Sequence, residues 1–335
     1  MASDGGLTEN CTRLIPLADI DPGDDRFRIT TRRSDDLHLS VQRLGLLAAP
    51  LVLDGADGFI VVSGFRRVEA CRRLGWGSIP VRVLRAPTTM YACAIKAVGE
   101  NSLERPLNLI ETSRALHVLD QHAPEGSIPP EDAAALGLPT HAGLAAKLKP
   151  LCRMPEEVQA AVLENAVSFA MACEIGPLEE GAAVAFARLF RRLKTSLNKQ
   201  REIVTLVSEI ACREGRYSRD VLSEAGLLRV QDAEDLDHNQ KTQRIRRLLR
   251  QRRFPALAAA EDRFHALRQR LKLGENLQLA PPRDFEGTRF TLTLNFERLE
   301  EVGRLRAQLD ELVDHPDFKT LLTGKGRGFA GASVP

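Results

Sequence analysis

The sequence predicts an α+β protein of three units: a small α/β unit over residues 12–105, an all-helical unit with a helix-turn-helix over 106–254, and a small α-β-β-α unit over 255–318. Three observations predict it. Short β-rich runs alternate with helical runs between Leu14 and Val83. From Thr88 onward the pattern turns helical, interrupted by Pro- and Gly-rich breaks. Beyond residue 255 a helical run, two strand-like runs and a second helical run follow in turn.

The elements follow in order. Arg13 to Leu17 reads as an edge strand, because Pro16 cannot donate to a ladder. His38 to Leu44 reads as a helix carrying Leu39, Val41 and Leu44, stopped by Gly45. Leu51-Val52-Leu53 and Phe59 to Val62 are strands joined by a hairpin turn at Asp54 to Gly58. Ser63-Gly64 opens a helix to about Leu74, with Gly75 at its C′ position. Ile79 to Val83 returns as a strand, and Thr88 or Thr89 caps a helix through Val98. Leu107 to Leu119 is helical, the break at Ala123 to Gly126 follows, and helical runs alternate with turns from Glu131 to Arg213. Gln231 to Gln240 resembles a linker or loop. A helix from Pro255 to about Leu273 precedes strands at Leu277 to Leu279 and Arg289 to Phe296. The last helix starts near Glu297, with Leu299, Val302, Leu305, Leu309 and Leu312 at helical spacing. Residues 1–11 and the Gly-rich stretch after Lys319 read as mobile tails.

Composition narrows the function classes. The chain has 335 residues, 43% hydrophobic but only 5% aromatic, so its cores are aliphatic. The formal net charge of +2 is uninformative, and the placement of the basic residues matters more. The six cysteines form no C-x-x-C pair and have no His cluster beside them, which excludes zinc-site spacing and fits a reducing cytosol. The N-terminus has no basic segment leading into an apolar run, and no stretch approaches the roughly 18 apolar residues of a membrane span. A soluble cytoplasmic protein is expected.

The most informative segment runs from Val61 to Gly75: a strand, a small-residue turn and a helix. Gly64 permits close backbone approach. Arg66 and Arg67 stand at the helix N-terminus, where the dipole disfavours cations unless an anion is held there. A polyphosphate satisfies that condition; surface ion pairing, for instance with Glu69, is the alternative. Downstream, Glu100-Asn101 places a carboxylate beside an amide, a pair that suits a metal-bound phosphate or, alternatively, a helix C-cap by Asn101 with Glu100 solvated.

Taken together, GFRRVEACRRLG resembles the G-E-R-R-x-x-A box of ParB-type partition proteins, and ENSLERPLNLIE resembles their E-N-x-x-R-x-x-L-N-P-I-E box. Leu44 to Leu51 resembles the G-x-x-x-P-I/L segment that leads into the first core strand. The resemblance covers about residues 12–115. It implies a CTP site with Mg²⁺, and nucleotide-driven closure of the N-terminal units into a clamp around DNA. Phosphate contacts are implied for Gly64, Arg66 and Arg67, metal or phosphate contacts for Asn101 and Glu100, and a base position near Ala49 and Pro50. The chain departs from the family pattern at Phe65, where an acidic residue is usual, at Ala49 in place of Gln, and at Leu103 and Glu104; Arg105 is shifted by one. These departures weaken CTP hydrolysis more than CTP binding.

Residues 132–148 have the shape of a helix-turn-helix, with Ala133 four residues before the turn at Gly137 and a second helix near Thr140. Leu151 to Val158 resembles the segment that follows this motif in the family. Thr140, His141, Lys147 and Lys149 are the candidate DNA contacts, although an ordinary packed helical pair has the same pattern. Residues 240–254 hold seven basic residues, Arg244 and Arg247 among them, and no acidic one. That segment either neutralises DNA phosphates or is a solvated face paired with Asp232, Glu234 and Asp235. The α-β-β-α order recurs in ParB-type C-terminal domains, which implies a homodimer. The expected function is a CTP-binding, DNA-binding clamp in chromosome or plasmid segregation, nucleoid-associated and working with a ParA-type ATPase. The alternative is a transcriptional regulator on the same fold without nucleotide switching.

Overall fold

The computed structural model describes residues 11–32, 35–56, 58–84, 87–274, 276–285 and 287–323. The expectations for the first ten residues and for 324–335 lie outside the described residues. The chain divides into two compact units, 1–191 and 192–335.

The first unit opens on β1 (Cys11–Pro16), α1 (Asp35–Leu44), β2 (Leu51–Gly55), β3 (Gly58–Ser63), α2 (Phe65–Arg73) and β4 (Ser78–Leu84). The strands form one sheet in the order β1-β4-β2-β3. β1 pairs antiparallel with β4, β2 and β3 form the expected hairpin, and β2 runs parallel to β4 with Leu51 opposite Arg82. β1 is an edge strand, as Pro16 required. Alternation along the strands sends Ile15, Val52, Val61, Ile79 and Val81 into a core shared with Val41 of α1 and Val68 and Cys71 of α2.

Helices follow: α3 (Met90–Ser102), α4 (Leu109–His122), α5 (Pro130–Ala135), α6 (Ala142–Leu148), α7 (Glu156–Leu163), α8 (Phe169–Ile175) and α9 (Ala182–Leu193). Thr89 caps α3, its side chain accepting from the N–H of Ala92 at 3.1 Å. α3 runs on to Ser102, so Asn101 is helical and not a C-cap. Helix α4 starts two residues later than expected, because Asn108 and Glu111 form a reciprocal capping box.

The second unit holds α10 (Leu197–Glu214), α11 (Ser218–Leu222), α12 (Ala225–Asp232), α13 (His238–Arg253), α14 (Pro255–Leu271), β5 (Leu277–Ala280), β6 (Thr291–Leu294), α15 (Leu299–Asp314) and α16 (Pro316–Thr323). Three boundaries correct the sequence reading. The expected linker at 231–240 shrinks to a short loop, because Asp237 and Gln240 build a capping box that starts α13. β6 covers only the middle of the expected strand. The stretch after Lys319 is still helical to Thr323, because Phe318 and Leu321 are buried against Phe264, Leu277 and Leu312. Among the described residues, no helix is long and apolar enough to cross a membrane.

Candidate nucleotide site and nucleic-acid surfaces

The buried end of β3, Val61 to Ser63, delivers the chain to Gly64 at φ 92°, from which α2 departs. A Cβ at Gly64 would lie 3.0 Å from both Cα and Cβ of Pro50. The turn therefore needs glycine twice over, for its left-handed backbone and for the approach of the 48–50 segment. No side chain caps α2, and its first turn carries no acidic residue. Helix starts ordinarily recruit a capping oxygen or a carboxylate. This one presents Arg66 and Arg67 instead.

Arg67 is held by backbone oxygens and not by the Glu69 pair that the ion-pair alternative offered. Arg67 donates from Nη1 to the carbonyl oxygens of Ala48 (3.2 Å) and Ala49 (3.3 Å). Glu69 binds Arg28 at 2.6 Å, and the Arg28 guanidinium stands 5.8 Å from the ring centre of Phe65. Phe65 packs on the sheet core.

The 48–50 segment is held from β4 as well. Arg82 donates its backbone N–H to the Pro50 oxygen at 2.8 Å and its Nε to the Ala49 oxygen at 3.4 Å. Its Nη2 forms an ion pair with Glu100 of α3. The fold thus gathers Ala49, Pro50, Gly64, Arg67 and Glu100, with Arg82 as the link that sequence reasoning passed over. The available signal was a charged residue between Val81 and Val83 in an otherwise apolar strand. Asn101 points elsewhere: its Nδ2 donates back to the Ala97 oxygen of its own helix at 2.8 Å.

Mg²⁺ needs one or two carboxylates besides substrate phosphates. The Glu100 carboxylate is ion-paired with Arg82 and only part-exposed. Position 65 offers a buried-facing ring in place of an acid. Among the described residues no group of three or more His, Cys, Asp and Glu is placed to hold a metal ion. The donor set does not fit a divalent cation.

The second sequence box does structural work. Glu111 is fully buried and takes a bidentate pair from Arg105, 2.7 Å on each oxygen. It also accepts from the backbone N–H of Thr31 (3.0 Å) and of Asn108 (3.1 Å). Burial pulls its pKa up, but Arg105 and the two N–H groups outweigh that and bring it down to about 2. Arg114 extends the tie, donating to the Thr30 oxygen at 3.0 Å and to Gln159 at 3.3 Å.

On the nucleic-acid side, Ala133, Leu136, Leu138 and Leu148 pack the α5-turn-α6 unit, and Gly137 turns at φ 68°. α6 starts at Ala142 with His141 as its cap, two residues later than Thr140, and spans only seven residues. Thr140, His141 and Lys147 are exposed. Lys149 is tied to Asp120 at 2.5 Å. In α13 the arginines are paired, but not with the acidic residues expected. Arg246 and Arg250 bind Glu202 (2.5 and 2.9 Å), Arg253 binds Glu209 (2.7 Å), and Arg252 bridges Glu214 and Glu224. Asp232 instead pairs with Arg192. Arg247 has a loose contact with Asp262 at 3.7 Å, and Arg244 is exposed.

Comparison with known proteins places these features. Residues 1–102 match the family model of the ParB N-terminal domain. A nucleoid occlusion protein of Bacillus cereus (strain B4264) is 26% identical over 253 residues, covering 67% of this chain and 82% of that protein. Its counterpart from Geobacillus kaustophilus (strain HTA426) is 30% identical over 167 residues, 47% of this chain and 54% of that protein. Among solved structures, the C-terminally truncated chromosome-partitioning protein ParB from Caulobacter crescentus complexed to the centromeric parS site is 24% identical, covering 56% of this chain and 96% of that one, with a TM-score of 0.32. The same protein complexed with CTP-gamma-S is 24% identical over 54% of this chain and 99% of that one, with a TM-score of 0.26.

Proposed function

We propose that this chain, whose residues 1–102 match the family model of the ParB N-terminal domain, is a DNA-binding protein of the partition and nucleoid-occlusion kind whose first unit holds CTP. One observation carries the nucleotide part: an uncapped helix start with two arginines and no acid, built on a glycine whose added Cβ would meet Pro50 at 3.0 Å. In this reading the phosphates lie at Gly64, Arg66 and the first turn of α2. Arg67 and Arg82 hold the 48–50 backbone, beside which the base sits near Ala49 and Pro50. Hydrolysis has weaker support, because Phe65 can neither take a proton nor hold a metal.

The DNA part rests on the exposed start of α6. Thr140, His141 and Lys147 face base edges or phosphates there, with Lys149 steering from its Asp120 pair. Arg244 and Arg247 are the α13 residues best placed to meet phosphate, since the other arginines of that helix are already neutralised. The reading keeps three functional units: 12–105 for nucleotide, 106–254 for DNA and 255–318 for homodimerisation. A ParA-type ATPase is the expected partner.

Titration calorimetry of the full chain with CTP, UTP, ATP and GTP tests the nucleotide part. CTP is expected to bind most tightly and Arg66→Ala to abolish it; equal or absent binding of all four sinks it. The second reading, a DNA-binding regulator without a nucleotide switch, is favoured by the packing of Phe65 and the Arg82–Glu100 pair. It requires DNA retention to be indifferent to CTP.

A further inference from the structure

We propose that the Arg82 guanidinium stands where a divalent cation would otherwise act, so that this site takes a nucleoside triphosphate without metal. The inference rests on the nucleotide reading above and deepens it.

The carboxylate implied for a metal, Glu100, is ion-paired with Arg82, and the two side chains keep 26% and 36% of their surface open. The pair is therefore formed within the fold yet reachable by a polyphosphate. Arg82 is not a wandering surface side chain. Its backbone sits in the β4–β2 register opposite Leu51, and its Nε is spent on the Ala49 oxygen. That carbonyl is also the one Arg67 grips from α2. The guanidinium is thus fixed between the α2 turn and α3, on the strand that carries the base-proximal segment.

A guanidinium stays charged at any working pH and presents five N–H donors in a rigid fork that suits phosphate oxygens. With Nε on Ala49 and Nη2 on Glu100, donors of the same fork remain for a phosphate. A divalent ion brought to Glu100 has to displace a charge-assisted pair and sit beside a fixed positive charge. Phe65 removes the other oxygen donor such an ion would want; the Arg28 guanidinium against its ring is already ion-paired with Glu69 at 2.6 Å. The positive charge that a polyphosphate needs is therefore supplied by the chain itself: Arg66, the α2 start and Arg82.

The test is calorimetric titration of CTP into the full chain, once with magnesium and once with EDTA. The dissociation constants are expected to agree within about twofold. Arg82→Gln is expected to weaken binding about tenfold or more in both buffers, the loss of one charge-assisted contact. Glu100→Gln is the discriminating variant: it releases Arg82 and keeps or tightens binding, whereas a metal ligand at 100 would make the same change destroy it. Binding that appears with magnesium and falls about tenfold or more in EDTA overturns the proposal and leaves the nucleotide reading standing. Loss of magnesium-supported binding in Glu100→Gln does the same. If CTP binds in neither buffer, both readings fall. The wild-type comparison needs no variant to fold.

Discussion

Gly64 and Glu111 are the two residues on which the first unit depends most directly. Gly64 combines φ 92° with a Pro50 carbon 3.0 Å from where a Cβ would be. Gly64→Ala is expected to cost about 1–2 kcal/mol for the left-handed backbone alone, more if Pro50 is pushed away. Urea denaturation measures this, and CTP titration of the same variant should show weaker binding. Glu111 has a folded pKa of about 2 against an ordinary value of 4.5. Because the folded value is depressed, its stabilisation is fully present above pH 4.5 and is lost as pH falls from there towards 2. The shift corresponds to about 3 kcal/mol. Glu111→Gln should lower stability at pH 7 by roughly 3–5 kcal/mol, leaving Arg105 unpaired, and flatten the acid limb of the unfolding midpoint against pH. A limb as steep as wild type would place the acid sensitivity elsewhere. At this scale the glycine and the neighbouring arginines were legible in the sequence. The partner of Glu100 was not, because nothing local to Arg82 says which helix it will meet.

Two elements carry the nucleic-acid argument. In α13 the basic run was plain in the sequence, but its acidic complement comes from Glu202, Glu209 and Glu214 of α10 and from Glu224, far along the chain. Each of these part-exposed pairs is worth about 0.2–1 kcal/mol, so together they brace the helix more than any one does. Glu202→Lys should therefore lower the thermal midpoint while raising affinity for non-specific DNA, since it releases Arg246 and Arg250. Fluorescence anisotropy with a random duplex reads the second effect, and unchanged affinity would remove α13 from the DNA surface. In α6, Lys147→Ala is expected to weaken DNA binding at all sequences and reduce the slope against log salt by about one. The motif around this helix was visible from Ala133 and Gly137. Its exact start was not, because His141 rather than Thr140 supplies the cap.

For the whole molecule, the leucine stripe of α15 divides. Leu305 and Leu312 are buried within the second unit, whereas Leu299 is 88% exposed, with Phe296 beside it in sequence at 58%. Leu299 and Phe296 are the exposed surface that the proposed homodimer would cover with a second copy. Leu299→Asp should yield a monomer in sedimentation velocity while helical content is retained, because Leu305 and Leu312 still hold the fold. A variant with unchanged self-association removes this surface from the proposed homodimer contact.

The sequence by itself determined the strand and helix order over residues 14–98, the glycine turn at 64, a threonine cap at 88 or 89 and the resemblance of its two boxes. Those features act on near neighbours, through backbone sterics, capping and the spacing of apolar residues. Only the tertiary structure decided that Glu100 is held by Arg82, 18 residues away, that Glu111 fastens the 30–31 segment, 80 residues away, and that Arg250 meets Glu202, 48 residues away. Charges choose partners by proximity after sheet register and helix packing are set, and a one-dimensional pattern does not carry that register.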